Sequence, residues 1–182
     1  MIGRTISWHR ETQLPRYAAL LRTVLGGISP PVEAAFLAER YAEVVALWDD
    51  LLRQVAPDFA GLLRSLSDEQ VEELFGNLAD ENRELEEDYS GIGREERRAK
   101  QDKAIIKAFK RFTGRLSPEQ EVLVRTRTAR FHDLSADWIR RREAWQMEFR
   151  RLMAGRNADP LFAARITDLL LNPNQFDSPG YR

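Results

Sequence analysis

Apolar residues recur along this chain at intervals of three and four, and no segment of any length alternates apolar and polar with period two. The pattern predicts helices throughout and no strands. A first helix is expected from about residue 8 to 25, with Leu14, Tyr17, Leu20, Leu21, Val24 and Leu25 on one stripe. Pro15 should lie in its first turn or mark its true start, and Gly26 and Gly27 should stop it. Ser29-Pro30-Pro31 then opens the clearest helix, with Leu37, Tyr41, Val44, Val45, Trp48, Leu51, Leu52 and Val55 at helical spacing. Pro57-Asp58 should break it, leaving a short helix to about Leu66.

Further helices are expected from Ser67 to about Tyr89, with Val71, Leu74, Phe75, Leu78, Leu85 and Tyr89 inward, and from about Arg94 to Phe112, carrying Ile105, Ile106 and Phe109. Gly91-Ile92-Gly93 forms the turn between them. Another helix should end near His132 or Asp133. Ser135 reads as the cap of a helix holding Trp138, Ile139, Trp145, Phe149 and Leu152 and closed by Gly155, and Asp159-Pro160 as the start of a last helix to about Leu171. The expected fold is all-α, an irregular antiparallel bundle of about seven or eight helices with short loops, forming one domain over residues 1–171 with a coil tail over 172–182.

One local motif occurs twice: Leu66-Ser67-Asp68-Glu69-Gln70 and Leu116-Ser117-Pro118-Glu119-Gln120. Each predicts a capping box, in which the serine hydroxyl accepts from the N–H three residues on and the glutamine there reaches back to the serine's own N–H. Leu66 and Val71 suit a hydrophobic staple in the first copy, and Pro118 suits the first helical position in the second.

Charge sharpens the picture. Apolar residues make up 43% of the 182 and charged residues 31%, so long helices with solvated faces are expected around a real core. A net charge of −1 gives no global field favouring nucleic acid. Residues 67–88 hold ten acids and one base, and residues 94–115 hold nine bases and three acids. With a tight turn between them, the two stretches should fold back on one another as a hairpin.

The chemistry-bearing residues are few. There is no cysteine, so no disulfide and no thiolate nucleophile, and the only histidines are His9 and His132. No metal-binding, nucleophile-elbow or phosphate-loop spacing occurs, so we expect no catalytic residue, no cofactor and no metal. A carboxylate pair is the one enzymatic option, set against the plainer reading of solvated helical faces. The bases from Arg97 to Arg111 are either a solvated face or a site for phosphates or anionic headgroups. Arg140, Arg141 and Arg142 lie between Trp138 and Trp145, where a cation–π contact within the fold is expected. Asn82 interrupts an apolar stripe and needs a hydrogen-bonding neighbour or a ligand. Trp8, His9 and Arg10, with Arg16 and Tyr17 beside them, form a dense polar and aromatic cluster. Together with Asn82 these are the candidate partner-binding residues.

Trp8-His9-Arg10, Leu14-Pro15-Arg16-Tyr17-Ala18-Ala19-Leu20-Leu21, Leu66-Ser67-Asp68-Glu69-Gln70-Val71 with Leu74-Phe75, Asn77-Leu78 and Asn82, and Glu95-Glu96-Arg97-Arg98 together resemble an uncharacterised family of bacterial lipoproteins, a domain of unknown function. The resemblance runs nearly the whole chain, to Ser178-Pro179 and Tyr181-Arg182. It implies export to the periplasm and a lipid anchor on an N-terminal cysteine. Signal segment and cysteine are both absent from this chain, so either the N-terminus is incomplete or this member is not anchored. The doubled motif is also similar to the Leu-Thr-x-x-Gln motif of small periplasmic stress proteins of the Spy and CpxP type, which implies a helical chaperone or sensor.

These readings leave three functions open. One is a non-enzymatic periplasmic factor that binds other proteins, chaperone-like or accessory to envelope stress. Another is a structural or assembly adaptor at the membrane surface, binding one defined partner or anionic lipid. The third is a carboxylate-based enzyme. Proteins are the expected partners, with the membrane reached only through a lipid anchor that this chain lacks and with no role for nucleic acid; the oligomeric state is open.

Overall fold

The computed structural model describes residues 2–27, 32–130 and 135–178. Among them there are seven continuous helical segments and no strand, in agreement with the all-α expectation. Helix α1 (Ile2–Trp8), a π turn (His9–Gln13) and α2 (Leu14–Gly27) form the first segment. The rest are α3 (Ala34–Ser65), α4 (Asp68–Ser90), α5 (Arg94–Thr113), α6 (Pro118–Thr128), α7 (Ser135–Ala154) and α8 (Phe162–Leu171). The Ser29-Pro30-Pro31 start, the ending at His132 or Asp133, and Pro179, Tyr181 and Arg182 lie outside the described residues, as do the side chains of Phe112 and Ser135.

Two prolines correct the expected boundaries. Helix is already present at Ile2, and Pro15 neither starts nor stops it. In a regular helix the ring of Pro15 would press on the carbonyl four residues back. The widened turn just before it relieves that clash: the Leu14 N–H reaches back five residues to the His9 carbonyl. Pro57 does not break α3 either. It is exposed, so water can reach the Arg53 carbonyl that its missing N–H leaves free, while its neighbours Ala56 and Ala60 are completely buried. Packing on that inner face outweighs the lost bond.

Both capping boxes form as expected. The Ser67 N–H donates to Gln70 Oε1 at 2.9 Å and the Gln70 N–H to Ser67 Oγ at 3.3 Å. In the second copy the same bonds are 2.8 and 3.3 Å, with Pro118 at the first helical position. Leu66 is half-buried and Val71 buried, as a staple requires. The fourth residue of each motif joins in. The Ser117 hydroxyl donates to Glu119 at 2.7 Å and holds that carboxyl below its ordinary range, and Ser67 does the same for Glu69.

The chain divides into two compact units. One comprises Met1–Val71 and Met147–Gln175, the other Glu72–Gln146 and Phe176–Arg182, so the boundaries fall inside α4 and α7. In the first unit α3 packs most extensively on α8. Ala56, Ala60 and Leu63 of α3 and Phe162, Ile166 and Leu169 of α8 are buried there, with Met153 and Leu152. The Arg64 guanidinium lies over the Phe162 ring at 5.3 Å and donates to the carbonyls of Arg156 and Asp159 at 3.0 and 3.1 Å. Arg156, itself buried, bonds to the carbonyls of Leu66 and Met153 and to Asp68.

In the second unit the charged stretches correct the hairpin expectation. The closest backbone partner of α5 is α6, not α4. Lys100 meets Asp88 at 3.8 Å, and Arg97 donates to the Tyr89 and Ile92 carbonyls at 3.1 and 2.6 Å, all beside the turn. Farther along, Lys110 pairs with Glu121 of α6 at 2.7 Å, and the Thr128 hydroxyl donates to the buried Asp102 carboxylate. Exposed ion pairs are worth only about 0–1 kcal/mol each, so the opposite charges of α4 and α5 do not by themselves set the pairing. The tail is not plain coil: Pro173–Phe176 is a 3-10 turn, Asp177 pairs with Arg141 at 3.0 Å, and Ser178 donates to Asp137 at 2.9 Å.

Candidate functional site

The helix α2 lies antiparallel to α3. Four contacts fix the register: Thr5 donates to Asp58 at 3.0 Å, Gln13 to the Leu47 carbonyl at 2.6 Å and Arg16 to Asp50 at 2.7 Å, and a β-carbon on Gly27 would collide with the Phe36 ring. As residue numbers rise along one helix they fall along the other. The positions that meet are Gln13, Tyr17, Leu20, Val24 and Gly27 on one side and Phe36, Arg40, Leu47 and Asp50 on the other, all buried or half-buried. Arg40 lies over the Phe36 ring at 5.4 Å and pairs with Glu43 at 3.0 Å.

One residue further round each helix is a second apolar row that none of the described residues covers. On α2 it holds Leu14, Leu21 and Leu25, with the half-buried Ala18 between them. On α3 it holds Leu37, Tyr41, Val44 and Trp48. A step of one residue turns a helix by about 100°, and in an antiparallel pair that step carries both helices' side chains to the same side. The two rows therefore share one face of the hairpin. Leu25 is 75% exposed, Tyr41 71% and Trp48 57%. At roughly half exposure the seven large side chains offer on the order of 800 Å², more than the largest apolar patch of an ordinary monomer, about 300–600 Å².

The spacing along each row is four, three, four: 14, 18, 21, 25 and 37, 41, 44, 48. That is the heptad spacing of a coiled-coil seam. The antiparallel register sets the rows level with one another, so Leu14 stands beside Trp48, Ala18 beside Val44, Leu21 beside Tyr41 and Leu25 beside Leu37. The hairpin uses one seam internally and leaves the next one open. The sequence pattern sets Leu14, Leu21 and Leu25 on one stripe with Tyr17, Leu20 and Val24, and the structure splits that stripe between the two rows. The signal that separates them is the apolar doublets Leu20-Leu21 and Val24-Leu25, which make the stripe too wide for one partner.

The six candidate residues are not gathered in one place. Trp8 and His9 are half-buried at the π turn, and His9 stands edge-on to Tyr17 with ring centroids 5.9 Å apart. Arg16 is tied to Asp50 and to Gln13 Oε1 at 3.2 Å. Those residues brace α2 against α3, behind the open face. Arg10 is exposed and meets its neighbour Glu11 at 3.5 Å. Asn82 belongs to the other unit, where its amide donates to Gln146 at 2.6 Å and its carbonyl accepts from Arg142 at 2.8 Å. Its bonds join α4 to α7. Arg142 also pairs with Glu81 at 2.6 Å and Arg140 pairs with Asp137, so acidic and amide groups are partners of the arginine cluster.

A shallow depression of about 400 Å³ lies between α7 and α8, lined by Glu148, Arg151, Arg165, Asp168 and Leu169 among others. Glu148 and Arg151 pair at 2.5 Å, and that bond holds the Glu148 carboxyl below its ordinary range. Arg165 pairs with Asp159 at 3.2 Å. These charges are occupied with one another. Among the described residues no three His, Asp or Glu side chains converge as a metal-holding group, and no helix is long and apolar enough to cross a membrane.

No curated protein and no solved structure matches the chain. A family model does, over residues 2–182, and the chain belongs to that family, the family of unknown function DUF6279.

Proposed function

We propose that this chain is a non-enzymatic protein-binding module that docks a partner of defined helical shape through the open seam of α2 and α3. The observation that carries the reading is the pair of level heptad rows, solvent-exposed on one face. Heptad spacing presents knobs and holes to helices in one register, which favours a defined partner over a loose apolar surface. The resemblance to bacterial lipoproteins supports a periplasmic setting and attachment to the membrane through a lipid. A photo-crosslinking residue at Tyr41 or Leu21 should capture protein in cells, whereas one at Leu123, an apolar residue of α6 that is 56% exposed, should not. Equal capture from all three positions, or none, would remove the reading.

A chaperone-like role is the second reading, supported by the size of the same apolar face. It predicts that the purified chain slows aggregation of several unrelated unfolding clients at stoichiometric ratio, and that Tyr41→Lys abolishes the effect.

A further inference from the structure

We propose that the open seam is closed by a second copy of this chain, making an antiparallel four-helix bundle from two α2–α3 hairpins. The proposal rests on the reading of the seam as a docking surface and names its occupant.

Area is the first argument. An exposed apolar face on the order of 800 Å² equals what one partner brings to a standard stable interface of about 1,600 Å². Volume is the second, and it selects the arrangement. A two-fold axis lying in the interface has two choices. If it runs along the helices, each layer meets its own copy. The Leu21 and Tyr41 layer would then face another Leu21 and Tyr41, and the Ala18 and Val44 layer another of the same, so one layer is crowded and the other hollow. If the axis crosses the helices at right angles, the layers invert. Tyr41 then meets Val44 of the second copy, Leu21 meets Ala18, Trp48 meets Leu37, and Leu14 meets Leu25. The bulky Leu21 and Tyr41 layer then packs on the slimmer Ala18 and Val44 layer of the second copy, and each helix lies antiparallel to its own copy. Either two-fold axis gives a closed dimer rather than an open chain of copies, and layer volume selects between the two.

The test uses the full chain. Sedimentation over a wide concentration range should give a dimer. Leu21→Lys and Tyr41→Lys should each weaken it by at least about tenfold in Kd, with helical content by circular dichroism unchanged, because a central anchor dominates such an interface. Leu123→Lys, equally apolar and exposed but off the seam, should leave the dimer intact. The chain has no cysteine, so introduced thiols report alone. A mixture of Ala18→Cys and Leu21→Cys chains should join by an intermolecular disulfide, and neither variant alone should do so to the same extent. A dimer that survives both lysine substitutions, or whose mixed thiols stay apart, overturns the proposal. A monomer at every concentration also overturns it. If Tyr41 and Leu21 then still capture a different protein in cells, the docking reading stands; if they capture nothing, both fall.

Discussion

The two halves of α3 show that apolar character and burial are separate matters. Its C-terminal half meets α8 through alanines, Ala56 and Ala60, which let the helices approach closely and are fully covered. Its N-terminal half carries much larger apolar groups, Leu37, Tyr41, Val44 and Trp48, and leaves them in solvent. One helix, with one apolar periodicity, is a closed core at one end and an open face at the other. The difference is supplied by what lies opposite: α8 covers the Ala56, Ala60 and Leu63 row at one end, while at the other α2 covers the side holding Phe36, Arg40, Leu47 and Asp50, and none of the described residues covers the row beside it.

The sharpest test compares aromatic truncations at the two ends. Phe162→Ala removes the ring from the closed half and should destabilise the chain by about 3–5 kcal/mol in urea unfolding. Trp48→Ala in the open half, measured at concentrations low enough to keep the chain monomeric, should change stability by no more than about 0.5 kcal/mol. Similar losses at both would mean that the N-terminal half is covered after all. Enlarging a residue gives the converse. Ala60→Leu should overpack the contact with α8 and destabilise by about 1–3 kcal/mol.

Pro57 lies at the start of the closed half. Pro57→Ala restores the N–H that the Arg53 carbonyl lacks and should stabilise α3 by about 1–2 kcal/mol, allowing for the greater freedom of the unfolded chain. Ser117→Ala, in the other unit, removes one capping bond and should destabilise by about 1 kcal/mol, with α6 fraying first in hydrogen exchange.

Acid sensitivity should be the smallest effect and should arise outside α3. A hydrogen bond from Lys110 holds the Glu121 carboxyl below its ordinary value of 4.5, and the Ser178 hydroxyl holds Asp137 below 3.8. The folded chain therefore binds these protons less readily than the unfolded chain. Their contribution is complete above the unfolded values and is lost as pH falls below about 4.5 toward the folded ones. Lys110→Met should flatten the fall in the urea midpoint between pH 5 and pH 3, while Trp48→Ala should leave it unchanged.

Local signals were read correctly wherever the physics is local. Both capping boxes, the glycine turn at residues 91–93 and the inward row Val71, Leu74, Phe75 and Leu78 on α4 appear as the residues dictate. The errors lie where tertiary contacts override a local preference. Pro15 and Pro57 were read as boundaries because an isolated helix would end there; a π turn absorbs one, and packing on α8 outweighs the other. The charge pattern suggested α4 against α5, but exposed charges are too weakly coupled to choose a neighbour, and α5 lies along α6. Of the candidate partner-binding residues, Arg16, Tyr17 and Asn82 do face polar or aromatic neighbours, yet those neighbours are internal to each unit.

By itself the sequence determined an all-helical chain, the two capped helix starts at Ser67 and Ser117 and the apolar row on α4, because caps and three-four spacing act within a few residues of one another. Only the tertiary structure decided which row is used. An apolar row is buried when a second helix of matching shape reaches it, and that depends on residues far apart in the chain: Gln13 with Leu47, Arg16 with Asp50, Arg64 with Phe162. The first two close one seam of the α2–α3 hairpin and leave the other, with Leu21 and Tyr41 at its centre, open to solvent.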